Sequence, residues 1–286
     1  MIKKIIIPAA GLGTRLLPIT KEIPKEMMPL FFKDKKGEVI VKPLIQTIYE
    51  KFFDFGLREY CIIVGRQKRT IEDHFTSNQD LLKNFKKGVK YRNDLEKFYA
   101  MLNQSKIFWI NQLSAKGFGD AVKYAESFVG NDDFLVTAGD TLLPTGDKIV
   151  KKLLNSKLKG KNDAILLLKE VSDPRRFGVA VVKKKKNNFQ VVNVEEKPKK
   201  PKSNLSIVAV YRFKPSIFKA LDKVKNGGKE LQLTSGIQKL IDWGGNVSAI
   251  ILDEKDQVID IGTAESYLET IIHHNAISFN HHYLKS

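Results

Sequence analysis

Residues 3–15, Lys-Lys-Ile-Ile-Ile-Pro-Ala-Ala-Gly-Leu-Gly-Thr-Arg, decide the fold. From Lys3 to Pro8 the β-branched run predicts a short buried strand, and the small residues and glycines after it predict a tight loop. Such a loop lets backbone approach a ligand, and its bare N–H groups can hold phosphate oxygens. A dinucleotide fingerprint would need a third glycine at position 16, where Leu16 stands. Its acidic partner would be Asp34, which lies in a polar turn and not at a strand end. The Gly-Lys-Ser/Thr of a P-loop occurs nowhere in the chain. What remains is a glycine loop carrying Arg15, with Lys21 and Lys25 shortly after; the alternative is a tight turn with no ligand.

Working outward, Pro18 to Pro43 is too broken for a long helix. Apolar residues from Leu44 to Phe53 recur at helical spacing, with Gly56 as the stop. Strand signals at 61–64, 107–110 and 134–137 alternate with helical ones at 70–75, 80–101 and 121–128. That alternation predicts a parallel or mixed sheet covered on both faces. After about Gly160 the pattern changes to strands at 164–168, 179–182, 189–194 and 207–213, with a polar hairpin turn over 183–188. Helices are expected at 215–224 and 234–243, a last strand at 247–252, and a helical segment from Thr263 to the end. No repeat and no linker divides the chain.

At 286 residues one large α/β domain is expected, able to bury roughly 75% of its unfolded surface. The single cysteine, Cys61, excludes a disulfide framework and a cysteine-based zinc site. No apolar run reaches membrane-span length. The opening lysines and isoleucines resemble a secretory signal, but Pro8 and the glycines interrupt the apolar stretch, so a cytoplasmic chain is expected. The formal charge of +17 implies attraction to anions, whether nucleic acid, an acidic membrane surface or a phosphorylated small molecule. A lysine-rich solvated surface is the plainer reading of the same number.

The longer run PAAGLGTRLLPITKEIPKEMMPL, residues 8–30, resembles the signature of the sugar-1-phosphate nucleotidylyltransferases, nearest to uridylyl-transferring members of the bacterial and archaeal type. Further matches follow in order over most of the chain: AKGFGDAV around Lys116, GD at Asp140, FGVA around Gly178, VEEKP around Lys197, SNLSIV around Asn204, ELQLTSGI around Gln232 and DIGTAESY around Asp260. The resemblance implies a Rossmann-like three-layer α/β/α nucleotidyltransferase fold with a mixed, mostly parallel sheet. It implies a catalytic domain over 1–262, with 1–160 mainly for the nucleotide and 161–262 mainly for the sugar phosphate, and a C-terminal helical segment over 263–286. The implied reaction joins UTP to glucose 1-phosphate, giving UDP-glucose and pyrophosphate with Mg²⁺ as cofactor; dTTP is an alternative donor.

The nucleophile of that reaction is an ionised phosphate oxygen, so no Ser–His or Cys–His pair is required. Repulsion between two anions is the obstacle, and a site of cations and positioning groups is the remedy. By resemblance, Ala9, Ala10, Gly11 and Gly13 cradle the nucleotide, Arg15 holds the pyrophosphate leaving group and Lys25 the α-phosphate. Asp140 and Asp260 hold one Mg²⁺, a hard cation that takes few protein ligands. Gln112 and Glu26 are the base-reading candidates, with Gly117 allowing backbone to approach the nucleotide. Gly178 and Glu196 serve the sugar, and Lys197 the attacking phosphate. Glu195 points to the opposite face from Glu196. Lys21 matches but is given no role.

The sequence departs from the pattern at Leu113, Ala209, Val210 and Ser235, and the stretch 31–42 is longer than expected. The segment 260–267 is similar to thymidylyl- and guanylyltransferase relatives as well. These differences leave base and sugar specificity open. A nucleic-acid partner is not expected, because the aromatic residues lie in apolar strands and helices and do not alternate with the charges. The pairs His273-His274 and His281-His282 are poorly spaced for a metal site. A homodimer or homotetramer is expected through the C-terminal helical segment.

Overall fold

Successive isoleucines at the start of the chain face opposite ways, as period-two alternation requires. Ile5 and Ile7 enter one apolar core, with the helix Leu44–Asp54, Ile71 and Phe98. Ile6 enters a second core, with Ala121, Ile217 and Ile237. One sheet buried on both faces follows, sandwiched in three layers. The structure, a computed structural model, describes residues 2–33, 37–86, 89–156, 162–185, 188–225, 227–273 and 277–278.

The sheet has nine strands: β1 Lys4–Ala9, β2 Glu59–Val64, β3 Lys106–Asn111, β4 Phe134–Thr137, β5 Asn162–Glu170, β6 Gly178–Lys185, β7 Asn188–Glu196, β8 Leu205–Phe213 and β9 Asn246–Ile251. Their order is β3-β2-β1-β4-β8-β5-β9-β7-β6. The pairings β3/β2, β2/β1, β1/β4 and β5/β9 are parallel, and only β7 and β8 run against the rest. The mixed, mostly parallel sheet expected from the sequence is therefore present.

Two features of this topology build a site. The chain moves from β1 to β2 on one side of β1, while β4 lies on the other, so the loop after β1 opens at a switch point where ligands gather. At the far end the sheet curls back, and β6 also pairs with β8 through Val179 and Ser206. That closure carries Gly178, and Glu196 paired with it across the β6–β7 hairpin, to the N-terminal end of β8.

Several elements differ from expectation. The helix expected over 80–101 is split into Gln79–Lys83 and Lys90–Asn103, with a turn at Asn84 ending the first. The described residues of the stretch 31–42 belong to two antiparallel strands, Pro29–Lys33 with Val39–Pro43. The C-terminal helix ends at His273, and Ile277–Ser278 pairs as a strand with Phe32–Lys33, so the segment is not helical throughout. His274, His281 and His282 lie outside the described residues. No described helix is long and apolar enough to cross a membrane.

Candidate active site

The loop after β1 turns at Gly13, whose left-handed backbone (φ 66°) suits glycine; a Cβ there would stand 3.1 Å from the methyl of Thr20. The loop leads into the short turn Thr14–Leu16, which carries Arg15 outward. Beside it, Gly139 donates its N–H to the carbonyl of Pro8 at 3.1 Å, lacing the loop after β4 to the end of β1. Asp140 follows at once. Its partner comes from the other end of the chain: Ile259–Asp260 pairs antiparallel with Thr141–Leu142, and Ile261 donates to the Asp140 carbonyl at 3.1 Å. This small ribbon fixes two carboxylates side by side.

Cations surround them. The Lys25 ammonium is ion-paired directly with Asp140 Oδ2. Burial works to lower the Lys25 pKa, but Asp140, Glu26 and Asp260 outweigh it and raise it, so the lysine stays charged. Arg15 crosses Gly262, its Nη2 3.2 Å and Asp260 Oδ1 3.5 Å from where a Cβ at 262 would stand. The Asp260 carboxyl is pushed up to about 6, first by burial and then by the charge of Asp140, against the pull of Lys25, Arg15 and Arg176. Two hard oxygen donors forced together, with one of them driven toward protonation, are a donor set that fits a divalent cation bound partly by phosphate. Among the described residues no group of three or more His, Cys, Asp or Glu side chains gathers as a metal cage.

Glu26 does not reach open space. It is 1% exposed, its carboxylate is ion-paired with buried Lys68 at 2.8 Å, and burial raises its pKa against Lys68 and Lys25. Its charge also helps to raise the Lys25 pKa. Gln112, at the end of β3, donates Nε2 to Asp120 Oδ2 at 2.6 Å and more weakly to the Gly117 carbonyl at 3.4 Å. Gly117 has φ 111°, and a Cβ there would lie 2.5 Å from the Leu231 carbonyl oxygen, so glycine is already required by contact with the strap of chain around Leu231 that crosses it.

The closed end of the sheet supplies the other half. Glu196 Oε2 accepts from Thr234 Oγ at 2.6 Å and lies 3.2 Å from where a Cβ on Gly178 would stand. Glu195 is exposed on the other face, as alternation requires. Lys197 sits at the unusual φ of 44°, held by its N–H to the Phe177 carbonyl, with Nζ 4.0 Å from Glu196. Backbone strain of this kind clusters at functional sites. The Tyr211 hydroxyl feels the charge of both halves: burial, then Glu196 and Asp140, push its pKa far up.

The structure thus brings Arg15, Lys25, Asp140 and Asp260 to one place, with Gly178, Glu196 and Lys197 adjoining. Lys21 stays outside, exposed and beside Glu22. Lys68, Asp120, Arg176, Tyr211 and Thr234 are not singled out by the sequence. Asp120 lies inside AKGFGDAV and Thr234 inside ELQLTSGI, and Arg176 directly precedes FGVA, but nothing in the sequence says which partner each meets. Cys61 is buried in β2 with its thiol pushed up to about 12, unfit as a nucleophile.

The sequence profile of the nucleotidyl transferase family matches residues 4–275. The chain belongs to the nucleotidyl transferase family. Among its relatives, the UTP–glucose-1-phosphate uridylyltransferase of Staphylococcus haemolyticus is 34% identical over 278 residues, covering 95% of this chain and 91% of the relative. That of Mycoplasma genitalium is 40% identical over 248 residues, covering 82% and 80%. In three dimensions this nucleotidyl transferase is similar to a UDP-glucose pyrophosphorylase complexed with UDP-glucose, with a TM-score of 0.79 and 30% identity, covering 94% of this chain and 97% of the other.

Proposed function

We propose that the chain transfers a uridylyl group from UTP to glucose 1-phosphate, releasing pyrophosphate and UDP-glucose. The observation that carries this reading is the ribbon that holds Asp140 beside Asp260, with Lys25 ion-paired to one and Arg15 beside the other. Named relatives over most of the chain support the choice of substrates.

An oxygen of the sugar 1-phosphate attacks the α-phosphorus of UTP in line, the new P–O bond forms, and the bond to pyrophosphate breaks. Lys25 turns from Asp140 to the α-phosphate and neutralises its oxygens. Arg15, whose planar fork can donate two hydrogen bonds, takes the leaving pyrophosphate. Lys197 holds the attacking phosphate, while Glu196, its rotamer fixed by Thr234, accepts from sugar hydroxyls beside Gly178. Ala9, Ala10, Gly11 and Gly13 line the phosphates with backbone, and Gln112 faces the uracil. Each charge contact near 4 Å supplies about 4 kcal/mol at an effective dielectric of 20, before desolvation, so a few of them match the anion repulsion. Asp140 and Asp260 would hold Mg²⁺, which supplies charge neutralisation on the phosphate oxygens. The residues before about 160 serve the nucleotide and those over 161–262 the sugar phosphate, in a homodimer or homotetramer.

The test is pyrophosphate release from UTP and glucose 1-phosphate with Mg²⁺, beside a panel with dTTP, CTP, GTP and other sugar 1-phosphates. Release that is fastest for UTP with glucose 1-phosphate is the expected result; release with no pair ends the proposal.

A further inference from the structure

The amide of Gln112 has two ends, and the structure uses only one of them. Nε2 gives one proton to Asp120 Oδ2 at 2.6 Å and approaches the Gly117 carbonyl at 3.4 Å. Oε1 accepts no hydrogen bond among the described residues, although the side chain as a whole is only 5% exposed, so its acceptor capacity is left for whatever meets that end of the amide. The network, not the shape of the amide, sets this orientation. Turning the amide over would set Oε1 against the Asp120 carboxyl and the Gly117 carbonyl, replacing two attractive contacts with two repulsive ones. Asp120 is itself held, since its N–H donates to the Leu231 carbonyl at 3.3 Å on the strap that closes over Gly117.

We propose that Asp120 is a positioning residue that fixes the carbonyl end of Gln112 toward the base and thereby makes the site select a pyrimidine with a proton on N3. Uracil carries that proton and donates to Oε1. Cytosine presents a lone pair at N3 and meets Oε1 as acceptor against acceptor. A free glutamine amide could serve either base by turning over; one pinned by a carboxyl cannot. The inference rests on the reading of Gln112 as the base-facing residue.

The experiment compares kcat/KM for UTP and CTP, each with glucose 1-phosphate, in the wild-type chain and four variants whose folding is checked by thermal unfolding. In Asp120→Asn the amide can pair either way up, and in Asp120→Ala it is unpinned. Both should cut the UTP:CTP ratio at least about tenfold, chiefly by raising the CTP value, because a site built for one hydrogen-bond pattern loses its rejection when that pattern becomes optional. Asp120→Glu keeps an acceptor and should stay within about threefold of wild type. A purely structural role would lower both nucleotides together and leave the ratio unmoved. If whichever of the Asn and Ala variants folds keeps the wild-type ratio while Gln112→Ala loses it, the inference falls and the reading of Gln112 stands. If Gln112→Ala also keeps the ratio, or the wild-type chain turns over no nucleotide, both fall.

Discussion

Asp140 carries the most at the scale of single residues, because it meets Lys25 directly, raises the pKa of Asp260 and acts on Tyr211. Asp140→Asn keeps the shape and removes the charge. Turnover measured by pyrophosphate release should fall by at least about 10²-fold, the scale of losing one preorganised charge contact. The melting temperature should fall only modestly, because the loss of the Lys25 partner is offset in part by relief of the repulsion with Asp260, and the ribbon is held by backbone bonds. Near-normal turnover would take Asp140 out of the reaction. The sequence made Arg15, Lys25, Asp140 and Asp260 legible through their motifs. It could not show Lys68 on Glu26 or Thr234 on Glu196, because these partners come from distant segments and only the fold decides the pairing.

Elements are legible where a compact apolar run or a clear helical repeat marks them, and less so in long charged stretches such as 80–101, which breaks into two helices. Strands β1 to β4 and the helix Leu44–Asp54 stand where alternation and spacing put them. The ribbon of Thr141–Leu142 with Ile259–Asp260 has two residues a side and no pattern to find. The Gly117 loop is an element whose cost can be measured: Gly117→Ala forces an L side chain to φ 111° and drives a Cβ to 2.5 Å from the Leu231 carbonyl oxygen. Destabilisation of about 1–3 kcal/mol by chemical denaturation is expected; no loss would mean the strap yields freely. A pH effect belongs to the helix Arg69–His74. Its last residue donates Nε2–H to Gln46 Oε1 at 2.8 Å, stacks on Phe98, and has its pKa lowered by burial to about 4. The unfolded chain binds that proton near its ordinary value, so between roughly pH 6.5 and 4 it holds more protons than the folded one. Stability from this group is therefore complete above pH 6.5 and lost on acidification toward 4, by on the order of 1–3 kcal/mol for a partly exposed ring. His74→Gln should flatten that part of the stability curve; an unchanged slope would assign the effect elsewhere.

The whole molecule leaves apolar surface where two C-terminal and N-terminal elements meet. On the helix Ala264–His273, Leu268 and Ile272 are four residues apart, on one face, and each more than half exposed. On the hairpin, Phe31 stands directly across from Val41, and both are exposed, with Val39 exposed beyond them. Tyr267 ties helix to hairpin by donating to the Pro29 carbonyl at 2.9 Å. Single exposed apolar residues are ordinary, but stripes on two linked elements mark an interaction surface. A net charge of +17 opposes self-association over long range, so contact between copies has to rest on apolar burial and should strengthen with salt. Burying what remains exposed of Leu268 and Ile272 is worth about 1–1.5 kcal/mol each per subunit. Sedimentation should show a dimer or tetramer, and Leu268→Glu with Ile272→Glu should shift it to monomer while the cluster around Asp140, held by its own ribbon, keeps its turnover. A monomeric wild-type chain, or an assembly that ignores both charges, would mean that this surface does not join copies of the chain.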